Sequence, residues 1–161
     1  MVVIVMGVAG VGKTTIGRML AESLGWEFHD ADDLHPEENR RKLHAGIALT
    51  DDDRRPWLVR VRELIENLLA DGRDAVVACS ALKQSYRDEL VVDPASVKVV
   101  WLTGDFELVR RRIESRKDHF MNPALLKSQF ATLEPPRDAI VVDTAASPAA
   151  MIDLIRANLR L

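Results

Sequence analysis

The sequence predicts an α/β fold in which a five-stranded parallel sheet lies between two layers of helices. Five short apolar runs alternate with helix-like segments along the 161 residues, which is the pattern of parallel strands joined by crossover helices. The first run, Val2–Met6, suits a strand buried on both faces and passes directly into a glycine-rich loop. Polar clusters follow the strands, at the sheet edge where such folds bind ligands.

The elements follow in a regular order. A helix over Lys13–Leu24 places Ile16, Leu20 and Leu24 on one face and ends at Gly25. The expected strands are at 2–6, 26–29, 75–79, 97–102 and 139–142, and further helices at 36–45, 55–70, 84–90, 106–116, 124–133 and 148–159. We expect a single domain over 1–161, with a helical insertion at about 34–71 and a short lid at about 116–123.

Composition narrows the class of protein. The chain is 47% hydrophobic and 29% charged with a formal net charge of −3, so it lacks the basic character of a general nucleic-acid binder. A single cysteine, Cys79, excludes an internal disulfide and a cysteine-based zinc site. The apolar start is too short for a signal peptide and no run approaches the ~20 residues of a membrane span. We expect a cytoplasmic protein.

The segment Gly7–Thr14, called the phosphate loop below, fits the pattern G-x-x-x-x-G-K-[ST]. In this motif, backbone N–H groups surround phosphate oxygens, the lysine reaches the outer phosphates and the hydroxyl binds Mg²⁺. The helix N-terminus behind the loop adds attraction for anions. The predicted ATP-binding residues here are Gly7, Val8, Ala9, Gly10, Val11, Gly12, Lys13, Thr14 and Thr15.

The rest of the chain indicates which class of nucleotide-binding protein this is. The third strand ends Ala78-Cys79-Ser80, without the acid that motor, transporter and hexameric ATPases carry there. Val141-Val142-Asp143 imitates such an acidic strand, but its place near the C-terminus fits the last strand of the sheet. The guanine-reading motif of small GTPases is also absent. Small kinases remain.

Acids follow the second strand, as an acceptor site for phosphoryl transfer requires. Asp32 is the candidate to orient or deprotonate the acceptor hydroxyl, and Asp30 to hold Mg²⁺ through water together with Thr14. The alternative is that these acids build a turn and cap the next helix. For Asp33 the two interpretations are equally supported.

A basic cluster precedes the predicted lid. Arg112 and Arg116 are four residues apart and share a helix face, so they are candidates to close over the phosphates and stabilise transition-state charge. Arg110 and Arg111 fit a solvated basic face instead. The predicted catalytic set is therefore Lys13, Asp32, Arg112 and Arg116.

Several segments together resemble one family, the gluconate kinases. Phe28 to Pro36 resembles its F-x-D-[GA]-D-x-L-H-P signature. Other matches are Thr50 to Leu58 with x-D-D-D-R-x-P-W-L, Cys79 to Asp88 with C-S-A-L-K-x-x-Y-R-D, Arg116 to Met121 with R-x-x-H-F-M, and Ser128 to Glu134 with S-Q-F-x-x-L-E. The resemblance covers nearly the whole chain. Departures are mild, such as Ala9 and Val11 where the family often has serine.

The resemblance implies the three-layer P-loop kinase fold and ATP- and Mg²⁺-dependent phosphorylation of D-gluconate at its 6-hydroxyl, giving 6-phospho-D-gluconate and ADP. It also suggests a homodimer, and an adenine-holding loop at Asp143 to Ser147. Cationic side chains hold carboxylates best, which makes Arg54, Lys83 and His119 candidates for the gluconate carboxylate. Asp32, His35 and Gln129 are candidates for its hydroxyls. The run Asp51 to Asp53 is expected to start the long helix and orient Arg54.

Two alternatives stay open from the sequence. One is another small-metabolite kinase of the same architecture, acting on shikimate or a nucleoside monophosphate. The other is a nucleotide-binding regulator without turnover, against which the intact set of Lys13, Thr14, Asp32 and Arg116 argues.

Overall fold

A computed structural model describes residues 1–116 and 122–161. The strands are β1 (Val2–Met6), β2 (Glu27–Asp30), β3 (Ala75–Ala78), β4 (Val97–Thr103) and β5 (Ile140–Asp143). The helices are α1 (Lys13–Leu24), α2 (Glu37–His44), α3 (Asp51–Ala70), α4 (Gln84–Leu90), α5 (Phe106–Glu114), α6 (Pro123–Thr132) and α7 (Pro148–Leu159). A short 3₁₀ turn, Ala31–Leu34, follows β2 and was not expected from the sequence.

The strands form one parallel sheet in the order β2-β3-β1-β4-β5, which confirms the predicted α/β class. Because all strands run the same way, their carboxyl ends meet at one edge of the sheet. Asp30 pairs with Ala78 and Thr103 with Asp143 there. The phosphate loop leaves β1 at the centre of that edge, between the loops that follow β3 and β4.

The side chains of β1 divide the core into two layers. Val2, Ile4 and Met6 pack with buried residues of α3 and α4, among them Trp57 and Leu90. Val3 and Val5 pack on the opposite face with residues of α1, α5, α6 and α7. This alternation follows from the period of two in a strand, and it buries the sheet on both faces.

The long helix α3 begins at Asp51, in the acidic run that was expected to start it and four residues before Arg55, the first residue of the expected helix. Thr50 caps it: the Thr50 hydroxyl accepts a hydrogen bond from the Asp53 amide at 3.1 Å, and the Asp53 carboxylate accepts one from the Thr50 amide at 2.9 Å. This reciprocal capping box satisfies two backbone donors, and the helix continues through Pro56. Within the described ranges, no helix has the length and apolar character needed to cross a membrane.

Candidate functional site

Three glycines give the phosphate loop its shape. Gly7, Gly10 and Gly12 have φ angles of +148°, +76° and +105°, a region that disfavours residues with a Cβ. A Cβ on Gly10 would also lie 2.5 Å and 2.7 Å from side-chain carbons of Ile113 on α5. The loop therefore depends on glycine both for its backbone conformation and for the close packing of α5 against it.

Lys13 begins α1 and folds back across the phosphate loop. Its Nζ donates to the Val8 carbonyl at 3.0 Å. Burial of the ammonium lowers the pKa of Lys13, and the nearby charge of Arg116 lowers it further, whereas Asp32, Cys79 and Asp30 raise it. The charges that act on Lys13 therefore include those of the predicted acids Asp30 and Asp32 and of Arg116.

A hydrogen bond links the phosphate loop to the end of β2. The Thr14 hydroxyl donates to Asp30 Oδ2 at 2.9 Å, and Asp30 Oδ1 accepts the Asp32 amide at 3.0 Å. Hydroxyl and carboxylate oxygens are the ligands that Mg²⁺ prefers, with water and phosphate completing its shell. The pair Thr14 and Asp30 therefore fits the magnesium site expected from the sequence.

Asp32 stands beside this pair. Its side chain is 70% exposed, because the site is open to solvent. Even so, protein atoms around it remove part of its hydration, and this is the main cause that raises the pKa of Asp32. Asp30 and Asp33 raise the pKa further, while Lys13 opposes them. A carboxylate with a raised pKa is a better proton acceptor than an ordinary surface aspartate.

His35 lies buried next to Asp32. Its ring stacks on Trp57, with centroids 4.5 Å apart and planes 12° from parallel. Burial, and then the positive charges of Arg54 and Arg40, lower the pKa of His35 to about 4. The ring is therefore uncharged at neutral pH, with Nε2 3.9 Å from Asp32 Oδ1.

Arg54 and Lys83, distant in sequence, meet around Tyr86. Lys83 Nζ donates to the two carboxylate oxygens of Asp51 at 2.9 Å and 3.1 Å, and the Tyr86 hydroxyl also donates to Asp51. Arg54 Nη1 donates to the Tyr86 hydroxyl at 3.2 Å. Both cations lie 5.7 Å from the centre of the Tyr86 ring, within the range of a cation–π contact. Tyr86 thus contacts both positive groups, and the carboxylate of Asp51 is bonded to Lys83 and to the Tyr86 hydroxyl.

The segment that carries Lys83 is held by Arg87. Ala81 has a φ of +41°, which is rare for a residue with a side chain. Arg87 Nη1 donates to the carbonyls of Ala81 and Leu82 at 2.7 Å and 3.0 Å, and its Nη2 donates to the Glu134 carbonyl at 2.7 Å. The buried guanidinium of Arg87 therefore fixes the loop from which Lys83 projects.

Two further predicted residues contact the nucleotide side of the site. Gln129 Oε1 accepts the Ala9 amide of the phosphate loop at 2.7 Å, so the contact it makes is with this loop and not with the acids. Arg112 donates to the carbonyl of Thr144, in the loop after β5. Val8 and Val11 are buried and Thr15 is exposed. His119 lies outside the described residues.

Sequence reasoning assigned no site role to Asn39 or Tyr86, and to Asp51 only the start of a helix and the orientation of Arg54. Asn39 is buried on α2, four residues after His35. This spacing is the one feature of the sequence that could have indicated a contact between the two side chains. Tyr86 and Asp51 are 35 residues apart, and nothing local in the sequence indicates their contact.

Comparisons with known proteins identify the family of the chain. The profile of the shikimate kinase family matches residues 9–148. A probable gluconokinase of Mus musculus is 45% identical over 152 residues, covering 84% of this chain and 83% of its own length. The thermosensitive gluconokinase of Escherichia coli K12 is 46% identical over 134 residues, covering 83% of this chain and 72% of its own. A crystal structure of a gluconokinase from Sinorhizobium meliloti superposes with a TM-score of 0.89 at 42% identity, covering 98% of this chain and 90% of that one.

Proposed function

The chain belongs to the shikimate kinase family, and because relatives of 45% and 46% identity are named probable gluconokinase and thermosensitive gluconokinase, we propose that it catalyses ATP-dependent phosphorylation of D-gluconate at the 6-hydroxyl. The products are 6-phospho-D-gluconate and ADP. The observation that carries the proposal is the hydrogen bond from Thr14 to Asp30, because it brings a phosphate-binding loop and a pair of acids into one site. A kinase needs these two halves together.

On the donor side, the phosphate loop binds the phosphates of ATP. Lys13 would contact the outer phosphates in place of the Val8 carbonyl, and Thr14 with Asp30 would hold Mg²⁺, in part through water. When bound, the ion neutralises charge on the transferred phosphoryl group. Arg112, on α5, and Arg116, at the start of the proposed lid at about 116–123, add positive charge on the same side.

On the acceptor side, Asp32 takes the proton of the 6-hydroxyl. As that oxygen forms its bond to the γ-phosphorus, the bond from the γ-phosphorus to the oxygen of ADP breaks and the electron pair leaves with ADP. The raised pKa of Asp32 suits this transfer, since the carboxylate must hold the proton it receives.

The carboxylate of gluconate is assigned to Arg54 and Lys83. These two cations are already paired around Tyr86, and an anion there gains charge-assisted hydrogen bonds. They belong to α3 and the loop after β3, so the helical insertion at about 34–71 supplies part of the acceptor site. His35 binds a hydroxyl, His119 is a further carboxylate candidate, and Gln129 supports the phosphate loop.

A coupled assay for ADP release with purified protein, ATP and Mg²⁺ tests the proposal. We expect turnover with D-gluconate and much weaker turnover with shikimate or nucleoside monophosphates. Asp32→Asn should lower kcat by at least about a hundredfold, as loss of a general base does, whereas the neighbouring Asp33→Asn should have little effect. Absence of gluconate-dependent turnover in the unmodified protein would refute the assignment.

Sedimentation of the same preparation tests the homodimer that the family resemblance suggests.

A further inference from the structure

The side chain of Asn39 contacts both His35 and the backbone at the start of α3. The amide nitrogen of Asn39 donates to the backbone carbonyl of Asp53 at 2.8 Å, and the same nitrogen lies 3.2 Å from His35 Nδ1. Asn39 is buried, on the first turn of α2. One side-chain amide therefore joins the start of α3 to the histidine of the acceptor site.

The carbonyl of Asp53 determines which way this amide points. A carbonyl oxygen can only accept, so the atom of Asn39 that faces it must be the NH₂ nitrogen. The second N–H of that nitrogen is directed at His35 Nδ1, which must then carry a lone pair. In an uncharged imidazole with a lone pair on Nδ1, the proton resides on Nε2.

The Nε2–H group faces Asp32. With Nε2 and Asp32 Oδ1 3.9 Å apart, a hydroxyl oxygen fits at an ordinary hydrogen-bond distance of about 2.8 Å from both. It would donate its hydrogen to Asp32 and accept one from His35. The reversed tautomer offers such a hydroxyl two acceptors and no donor, which leaves one of them unsatisfied.

We propose that Asn39 is a positioning residue that fixes His35 as its Nε2–H tautomer, so that His35 and Asp32 form a donor–acceptor pair for one substrate hydroxyl. The inference rests on the proposed function for the identity of the substrate that carries this hydroxyl, but the tautomer of His35 does not depend on that function. An uncharged His35 also leaves Asp32 free of an ion pair, and the burial of the ring against Trp57 favours that state.

Long-range ¹H–¹⁵N correlation spectra of the unmodified protein at pH 7 test the tautomer directly. His35→Gln identifies the His35 signals among the four histidines of the chain. We expect a protonated Nε2 and an unprotonated Nδ1. A protonated Nδ1 would overturn the inference, whether or not the protein phosphorylates gluconate. The measurement uses the unmodified protein, so it does not require a variant of Asn39 to fold.

A double-mutant cycle tests the functional consequence. Asn39→Asp replaces the donor to Nδ1 by an acceptor, so Nδ1 should become protonated and kcat/KM for gluconate should fall about tenfold, as expected for one lost hydrogen bond, with KM for ATP unchanged. In the His35→Gln background the same change should cost little further, because no tautomer remains to be set. An equal loss in both backgrounds would show that Asn39 acts only through folding. Asn67→Asp, on the exposed face of α3, controls for the added charge.

Discussion

Replacement of Gly10 by alanine measures how tightly α5 holds the phosphate loop. The new Cβ would lie 2.5 Å and 2.7 Å from carbons of Ile113 and 3.3 Å from Val109, so α5 or the loop must shift. Overpacking of this kind costs about 1–3 kcal/mol. The φ of +76° adds about 1 kcal/mol for a residue with a Cβ. We therefore expect the free energy of unfolding to fall by about 3 kcal/mol, with a higher KM for ATP.

Gly72→Ala provides the matched control for this variant. Gly72 has a similar φ of +65°, but a Cβ there meets nothing within 4 Å. Only the backbone cost of about 1 kcal/mol should appear, and KM for ATP should not change. Urea unfolding gives both free energies, and initial rates at varied ATP give the KM values. Equal destabilisation of the two variants would refute the view that contact with Ile113 excludes a larger side chain at position 10 of the phosphate loop.

Three further predictions concern the acceptor side. Since the pKa of His35 falls from an ordinary 6.5 to about 4 on folding, the unfolded chain binds more protons between these values, and stability is lost as the pH falls from 6.5 towards 4. The free energy of unfolding should fall by about 3 kcal/mol over this pH range, or by about 2 kcal/mol after allowance for solvent screening. Urea unfolding at the same pH values measures this loss, and the His35→Gln variant should not show it. Asp51→Asn removes the carboxylate that is bonded to Lys83, so KM for gluconate should fall severalfold. The control Asp52→Asn, at an exposed position, should leave this KM unchanged. A rise in KM with Asp51→Asn would mean that Asp51 orients Lys83 for the substrate. In Arg87→Lys, the single ammonium group cannot bond to all three carbonyls that Arg87 contacts. Thermal unfolding should therefore occur at a lower temperature, and KM for gluconate should rise. An unchanged KM would show that the loop held by Arg87 does not affect substrate binding.

The donor half of the site could be predicted because its determinants are local. The strand, the phosphate loop and α1 are consecutive, and the loop is specified by glycines whose positive φ angles the motif requires. The five strands were also predictable from apolar runs, to within about one residue at most ends. Asp30, which was expected where the second strand ends, is the last residue of β2.

The acceptor half could be predicted only as a list of candidates, because its contacts join distant segments. Lys83 and Asp51 are 32 residues apart, and Gln129 and Ala9 are 120 apart. The alternation of strands and helices predicts that such segments reach the same sheet edge, but it does not predict which side chains meet. Gln129 was therefore expected at the hydroxyls of the substrate, whereas its side-chain oxygen contacts the phosphate loop.

The run Asp51-Asp52-Asp53 shows why residue type alone does not define a role at this site. All three acids lie in the first turn of α3, where negative charge interacts favourably with the helix dipole. Asp53, at the third position, reaches back to Thr50, and a hydrogen bond from Lys42 is the main cause that lowers the pKa of Asp53 to about 2. Asp52 points to solvent and pairs with Arg55 at 3.2 Å. Asp51, rotated by about 100° per residue from its neighbours, is directed across to Lys83 and Tyr86. Helical geometry thus assigns one acid to capping, one to the surface and one to the cations that we propose bind the substrate carboxylate, and this is why Asp51 and Asp52, identical in type and adjacent in sequence, should differ in their effect on KM.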